Sequence, residues 1–391
     1  MYHIQTLNAI SNVIFEELDA NYVVSDTQAA PDAILVRSAY MHEMELEDSL
    51  LSIARAGAGV NNIPLDRCSE KGICVFNTPG ANANAVSELV IAGILLASRD
   101  VIAGVNWAET LKGQGAQVEK LVEKGKGQFA GPEIKGKTLG VIGLGAIGAK
   151  VANAADALGM RVIGYDPLIS VEHAWALSRT VARAQTMEEV FEKSDYITLH
   201  VPLTDKTRAL VGARMLELCR EGVRVLNFAR AALVDTNAML AALASGRVAR
   251  YVTDFPTDDM LRQKNVICIP HLGASTPESE DNCARMAAAQ TRDYLECGAI
   301  RNSVNLPEVP LGPISKPRLC AIHQNIPNVL GSITSAVASY NINISDLINR
   351  SRGAMAVSVL DLDDVPEAVA AALVEKIEGL TGMIRVRLLG A

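Results

Sequence analysis

Aromatic residues are scarce: Phe, Tyr and Trp together make up 4% of the 391 residues, although 49% are apolar. A core with so few rings must be built from Ala, Val, Leu and Ile, a composition that suits helices packed on parallel strands. There is no excess of basic residues. The formal charge of −8 argues against nucleic acid or an anionic membrane as a partner, and an anionic substrate would need a local cluster of cations. No apolar run is long enough, or free enough of charge, to span a bilayer. The start, Met1-Tyr-His-Ile, lacks a basic stretch followed by an apolar one, so no secretory signal is expected. The seven cysteines (68, 74, 219, 268, 283, 297 and 320) are scattered, odd in number and without a C-x-x-C pair. They read as reduced, buried thiols of a cytoplasmic protein, with no metal site.

What is present is a glycine-rich turn in a strand–helix context. Leu139–Ile142 is a short apolar run suited to a buried parallel strand, and Gly143, Gly145 and Gly148 follow as G-x-G-x-x-G where a helix would begin. The first glycine permits the turn, the second admits a pyrophosphate to the backbone, and the third lets helix and strand pack closely. The diphosphate would then rest on the free N–H groups of the helix terminus. A second apolar run, Arg161–Tyr165, ends at Asp166, at the distance where an acid meets the ribose hydroxyls. Pro167 and Leu168 follow, with no arginine for a 2′-phosphate, which favours NAD over NADP.

The alternation of strand and helix patterns predicts an α/β fold with three parts. Residues 1–98 form a first α/β unit with strands at 33–36, 51–54 and 73–76, completed by about 289–305. A doubly wound, Rossmann-type parallel sheet occupies 99–288, with strands at 139–142, 161–165, 195–199, 223–228, 250–254 and 266–269. Pro307, Pro310, Pro313 and Pro317 exclude a helix or central strand over 303–317, which reads as a linker. Residues 318–391 follow as β-α-β-β-α-β, a small split βαβ domain.

Hydride exchange between NAD and a hydroxy acid needs a base for the hydroxyl proton, a cation for the carboxylate and an acid to orient the base. His271 lies just past the strand ending at Ile269, Arg230 ends the strand that begins at Val223, and Asp254 and Asp258 follow Arg250–Thr253. All fall at the carboxyl edge of the sheet, where open α/β folds bind ligands. His200 shares a strand-end position. Singly, each has an ordinary structural reading: a capped imidazole, a solvated guanidinium, a helix-cap carboxylate. Their convergence on the edge that carries the glycine turn is the stronger signal.

Six segments, in order, resemble the D-2-hydroxyacid dehydrogenases: Ala54–Ile63, Asn77–Asn82, the glycine motif, His200-Val-Pro-Leu203, Asn227-Phe-Ala-Arg230 and Pro270-His-Leu-Gly273. The resemblance implies a flavodoxin-like substrate domain beside the Rossmann domain. It implies that His271 is the acid/base, that Arg230 binds the substrate carboxylate and polarises its carbonyl, and that Asp258 pairs with His271. Asp254 would face the nicotinamide carboxamide, and Ala146, Ile147, His200, Pro202, Thr207, Phe228, Ala229 and Gly273 would line the cofactor. Arg37, Arg55 and the turn Gly57-Ala58-Gly59 match positions that meet the anionic substrate, while Lys124 and Lys126 read more simply as a solvated loop. Arg318–Pro327 resembles the start of an ACT module with ferredoxin-like topology, in which His323, Asn325 and Asn343 match positions that hold L-serine.

The activity implied is NAD-dependent oxidation of 3-phospho-D-glycerate to 3-phosphooxypyruvate, by a homodimer or homotetramer that serine regulates. A 2-oxoglutarate or hydroxypyruvate reductase, and a non-catalytic NAD-sensing scaffold, are the alternatives. Four positions depart from the family pattern. Asp258 stands where Glu is usual, Ala231 follows Arg230 in place of Gly, Asp254 sits one residue nearer Phe255-Pro256, and Asn328 replaces a glycine.

Overall fold

In the computed structural model, which describes residues 1–390, the chain divides into two compact units: residues 1–82 with 277–391, and residues 83–276. The first unit holds two sheets. Strands β1 (Tyr2–Leu7), β2 (Tyr22–Ser25), β3 (Ala33–Val36), β4 (Ser52–Arg55) and β5 (Cys74–Phe76) form a parallel sheet in the order β2-β1-β3-β4-β5. This is the doubly wound order of flavodoxin-like folds. The sequence pattern marks neither β1 nor β2 as a strand. Both are half-exposed, so they lack the continuous apolar run that marks β3.

The second unit carries β6 (Thr138–Ile142), β7 (Arg161–Tyr165), β8 (Ala182–Arg183), β9 (Tyr196–Leu199), β10 (Val223–Asn227), β11 (Val248–Thr253) and β12 (Val266–Cys268). They form one sheet, parallel throughout, in the order β12-β11-β10-β9-β6-β7-β8. The chain winds outward in both directions from β6 and β9, so the loops after these two strands part at the switch point. The two-residue β8 is the strand that hydrophobic patterning had no length to reveal.

The last sheet, in the first unit, is antiparallel: β13 (Arg318–Gln324), β14 (Ile344–Arg352), β15 (Met355–Leu362) and β16 (Met383–Leu389), in the order β14-β15-β13-β16. With helices Val329–Ser339 and Glu367–Glu378 this is the ferredoxin-like β-α-β-β-α-β topology, and it fits an ACT-like domain. Both faces of β13 are buried. Leu319 and Ala321 pack under the two helices, while Cys320 and Ile322, one residue out of phase, join the core that holds Phe76 and Tyr294. Period-2 alternation is therefore absent from the sequence here, because neither face meets water.

Residues 303–317 are tied into the same core. Leu306 and Val309 are fully buried, Ser303 bridges to Phe76, and Val309 bridges to Ile300. The prolines exclude helix, as expected, but they permit an extended segment whose apolar residues face inward. Four arginines complete the attachment through backbone carbonyls. Arg385 donates to Leu50 O (2.7 Å), Lys71 O (3.1 Å) and Asp48 O (3.3 Å). Arg387 donates to Tyr294 O and Leu295 O with its guanidinium 4.9 Å from the centroid of the Tyr294 ring. Arg318 reaches Cys297 O and Gly312 O, and Arg352 reaches Ser303 O.

Removing a guanidinium that serves three carbonyls leaves those acceptors short of donors. Arg385→Ala should lower the unfolding free energy by about 2 kcal/mol in urea titrations, and Arg385→Lys should recover only part of the loss.

Candidate active site

The glycine turn is built by contact as much as by conformation. Gly143 has φ +90°, and a Cβ there would lie 2.6 Å from His200 O, the first residue beyond β9. A Cβ on Gly148 would lie 1.9 Å from Gly143 O, so the helix Ala146–Ala157 can approach β6 this closely only with glycine at that position. Gly145, the residue preceding the helix, differs from both: a Cβ added there meets nothing within 4 Å. The open side of the turn thus faces away from protein, where a pyrophosphate would meet the helix N–H groups at Ala146 and Ile147. Asp166, just past β7, accepts from Leu144 N (2.8 Å) through one oxygen and from Leu168 N (2.9 Å) through the other. It therefore anchors the turn, and each carboxylate oxygen keeps a lone pair for a ribose hydroxyl.

His200 is held against the switch point by a bond from its N–H to Ile142 O (2.7 Å), and its Nε2 lies 3.0 Å from Thr198 Oγ1. Burial pushes this imidazole down to about 3, so it is neutral at physiological pH. In the following loop Thr207 Oγ1 donates to Pro202 O (2.7 Å) and accepts from Thr204 N (2.7 Å), fixing Pro202 beyond β9.

Beyond β10, Asn227 is fully buried and organises the next loop. Its Nδ2 donates to Arg230 O (2.9 Å) and its Oδ1 accepts from Ala229 N (3.2 Å). Phe228 turns inward, where its ring would lie 2.9 Å from a Cβ on Gly93. Arg230 is extended (φ −152°) and exposed, with Nη1 on Ala229 O. Ala231 is not among the residues with positive φ; it opens a 3-10 turn that any residue can adopt, which accounts for the absence of the family glycine.

Beyond β11 lies Asp254, 1% exposed. The ladder between β11 and β12 continues past the strands: Ile269 N donates to Thr253 O and His271 N donates to Asp254 O. His271 is exposed and has φ +40°, with its ring 4.9 Å from that of Phe255, centroid to centroid. A β-carbon residue at positive φ costs about 1 kcal/mol or more, which the two-strand clamp on its amide supports. Burial raises the Asp254 carboxyl above the usual carboxylate range, while the charges of His271 and Arg230 and the N–H groups of Asp254 and Gly273 oppose the rise. Asp254 Oδ1 is buried with no hydrogen-bond partner. An unpaired acceptor at this edge fits the amide N–H of a nicotinamide carboxamide, so the residues present suit a bound NAD.

His271, Arg230 and Asp254 are thus brought together electrostatically at one sheet edge. Asp258 begins a 3-10 turn four residues on, and no hydrogen bond joins it to His271 among the described residues. The hydrogen bond from this aspartate pair to His271 is the one that the Asp254 carbonyl accepts from the His271 amide. Asp254 is legible in the sequence as a strand-end acid, whereas the burial of Asn227 and the contact of Phe255 with His271 are not, since neither residue type signals a site alone.

In the first unit, Arg37 and Arg55 sit at the ends of β3 and β4, and Arg55 Nε donates to Arg37 O (2.9 Å). Gly57 has φ +152°, and a Cβ there would lie 2.9 Å from the Arg55 guanidinium. The carbonyls of Gly57 and Ala58 accept from Thr78 N (3.1 Å) and Asn77 Nδ2 (2.7 Å). The turn through Gly59 is therefore held by its carbonyls. Lys126 pairs with Glu123 on the surface, and Lys124 lies on the same exposed helix.

In the ferredoxin-like sheet, His323 is buried between Gln324 O and Ser358 Oγ, and Asn325 Nδ2 donates to Gly353 O. Asn343 Nδ2 donates to Asp363. The β13–β15 and β14–β15 registers put Asn343 at the opposite end of the sheet from the other two, about 23 Å along β15 at roughly 3.3 Å per residue. Asn328 has φ +72°, a left-handed position that asparagine fills in place of glycine.

Residues 95–273 match the family profile "D-isomer specific 2-hydroxyacid dehydrogenase, NAD binding domain". A putative D-3-phosphoglycerate dehydrogenase of Schizosaccharomyces pombe is 31% identical over 372 residues, covering 88% of this chain and 76% of that protein. The chain belongs to the D-2-hydroxyacid dehydrogenase family. D-3-phosphoglycerate dehydrogenase of Methanocaldococcus jannaschii is 35% identical over 81% of this chain, although the chain spans only 59% of that protein's length. It spans about half the length of the human relative of that name. Among solved structures, NAD+-bound 3-phosphoglycerate dehydrogenase of Entamoeba histolytica is similar with a TM-score of 0.59 and 26% identity, covering 78% of this chain and 98% of that one. Among the described residues no helix is long and apolar enough to cross a membrane, and no group of three or more His, Cys, Asp or Glu is placed to hold a metal ion.

Two substitutions separate binding from folding in this dehydrogenase-family chain. Gly145→Ala should leave Tm nearly unchanged yet weaken NADH affinity by about tenfold or more in fluorescence titrations, whereas Gly148→Ala should destabilise by about 2 kcal/mol. Asp254→Asn should raise Tm at pH 7. A carboxyl whose folded pKa lies above its unfolded value contributes full stability below the unfolded pKa and loses it as pH rises through the folded one, so the gain should vanish in acid. Thermal melts from pH 3 to 8 would check this.

Proposed function

We propose that the protein oxidises 3-phospho-D-glycerate to 3-phosphooxypyruvate with NAD+. The observation that carries the reading is that Arg230, the buried Asp254 and His271 follow β10, β11 and β12, neighbouring strands of the sheet whose same edge holds the glycine turn. Bound NAD+ supplies the hydride acceptor. His271 removes the proton of the substrate's C2 hydroxyl. Arg230 holds the carboxylate and stabilises charge on the C2 oxygen as it becomes a carbonyl. Asp254 orients the nicotinamide amide through its unpaired oxygen and holds the His271 amide through its carbonyl. Asp258 stands at the family's acid position, in the 3-10 turn Asp258–Met260. Arg37, Arg55 and the N–H groups of the turn Gly57-Ala58-Gly59 take the substrate's anionic groups.

The same reading makes the protein a cytoplasmic homodimer or homotetramer with L-serine as an effector. One serine would touch His323, Asn325 and Asn343 together only where two copies of the ferredoxin-like domain meet, because one copy holds them at opposite ends of the sheet.

The test is NADH formation with 3-phosphoglycerate, D-glycerate, 2-hydroxyglutarate and D-lactate, each with and without millimolar serine. We expect the first acid to be the best substrate and serine to slow its oxidation. His271→Asn should cost about 10²-fold or more in kcat. Failure of all four acids would remove the enzyme and leave an NAD-binding scaffold.

A further inference from the structure

The end of β3 is a made-up site rather than a loose loop. Asn8, left-handed at φ +73°, accepts from Ser38 N (3.0 Å) and Ala39 N (2.6 Å) through its Oδ1, which fixes the chain just beyond Arg37. Arg37 O in turn holds Arg55 Nε, so two guanidiniums share one edge of the sheet. Arg37 is committed to a carboxylate. Arg37 Nη2 lies 2.5 Å from Oε1 of Glu280, in the first turn of helix Pro277–Cys297. Both side chains are about two-fifths exposed, at 40% and 42%, so a dissolved anion can reach the pair.

Glu280 is also held in place by its own helix. It sits at the positive end of a 21-residue helix, where a carboxylate is favoured. Its neighbour Asp281 accepts from Ser11 Oγ (2.5 Å), which anchors that turn to the chain beside β1. A phosphate arriving at Arg37 must therefore share the guanidinium with a carboxylate or displace it, and in either case it meets like charge at close range. A 2-hydroxy acid with an uncharged tail has no such conflict.

We propose that Glu280 is a specificity-determining residue: by occupying Arg37 it limits what the protein gains from a phosphate on its substrate. The proposal rests on the reading that Arg37 meets the phosphate of 3-phosphoglycerate. It names the discrimination between phosphorylated and unphosphorylated 2-hydroxy acids as the property that this pair sets.

The experiment compares kcat/KM for 3-phosphoglycerate with that for D-glycerate. Glu280→Gln keeps the size and removes the charge. It should raise the ratio about fivefold, mainly by lowering KM for the phosphorylated acid, as expected for an exposed ion pair. In an Arg37→Ala background the same substitution should change the ratio little, and Glu280→Asp, which keeps the charge, should stay near wild type. Inorganic phosphate gives a readout without turnover: it should raise Tm at a lower concentration in Glu280→Gln than in wild type. An unchanged or lower ratio, an equal rise without Arg37, or identical phosphate shifts overturns the role of Glu280. Absence of activity on every acid in the wild type instead counts against the dehydrogenase reading, and the phosphate comparison then still decides the role of Glu280.

Discussion

A carboxylate taken out of water at the edge of a parallel sheet is the constraint on which the rest of the site turns. Asp254 is almost wholly buried, one of its oxygens lacks a partner, and burial raises its affinity for a proton. Such a group is costly unless something charged or hydrogen-bonding answers it. Here the answers are Arg230, from the loop after β10, and His271, from the loop after β12. The backbone of Asp254 holds the amide of His271 as well. The same residue thus accounts for the position of the imidazole, the electrostatics of the edge and the place left for an amide donor.

That arrangement depends on parallel strands ending together. Gly143, His200, Arg230, Asp254 and His271 come from loops after β6, β9, β10, β11 and β12, which are far apart in sequence and adjacent in the sheet. Close packing at the switch point is set by small groups: a carbonyl of one loop fills the space that a side chain on Gly143 would need. The ferredoxin-like sheet follows another logic. It buries one face under its own helices and the other in the core that contains Phe76 and Tyr294, and arginines close the seam by donating to backbone carbonyls. Within the first unit it is part of the folded body and not a tethered appendage.

Much of this was legible in the residues. The buried strands of the Rossmann-type sheet appear as apolar runs, because strands covered on both faces carry no polar alternation. The glycine turn and Asp166 are readable because their chemistry demands particular residues at particular spacings. The half-exposed β1 and β2 and the two-residue β8 escaped because patterning needs a face or a length to show itself. Over 303–317, which reads as a linker, proline reports only what it forbids, and the burial of Leu306 and Val309 is a tertiary fact.

What the sequence by itself determined is the inventory and the periodicity: an Ala/Val/Leu/Ile core, a nucleotide-binding turn, and strand ends that carry His271, Arg230 and Asp254. Only the tertiary structure decided which charges meet. Asp254 and Asp258 both follow the same strand, and the difference between them is burial, which depends on the β12 loop folding back over one and not the other. Arg37 and Glu280 are 243 residues apart, and nothing in either segment announces the other. Coulomb energy falls with distance in space, while a sequence records only distance along the chain.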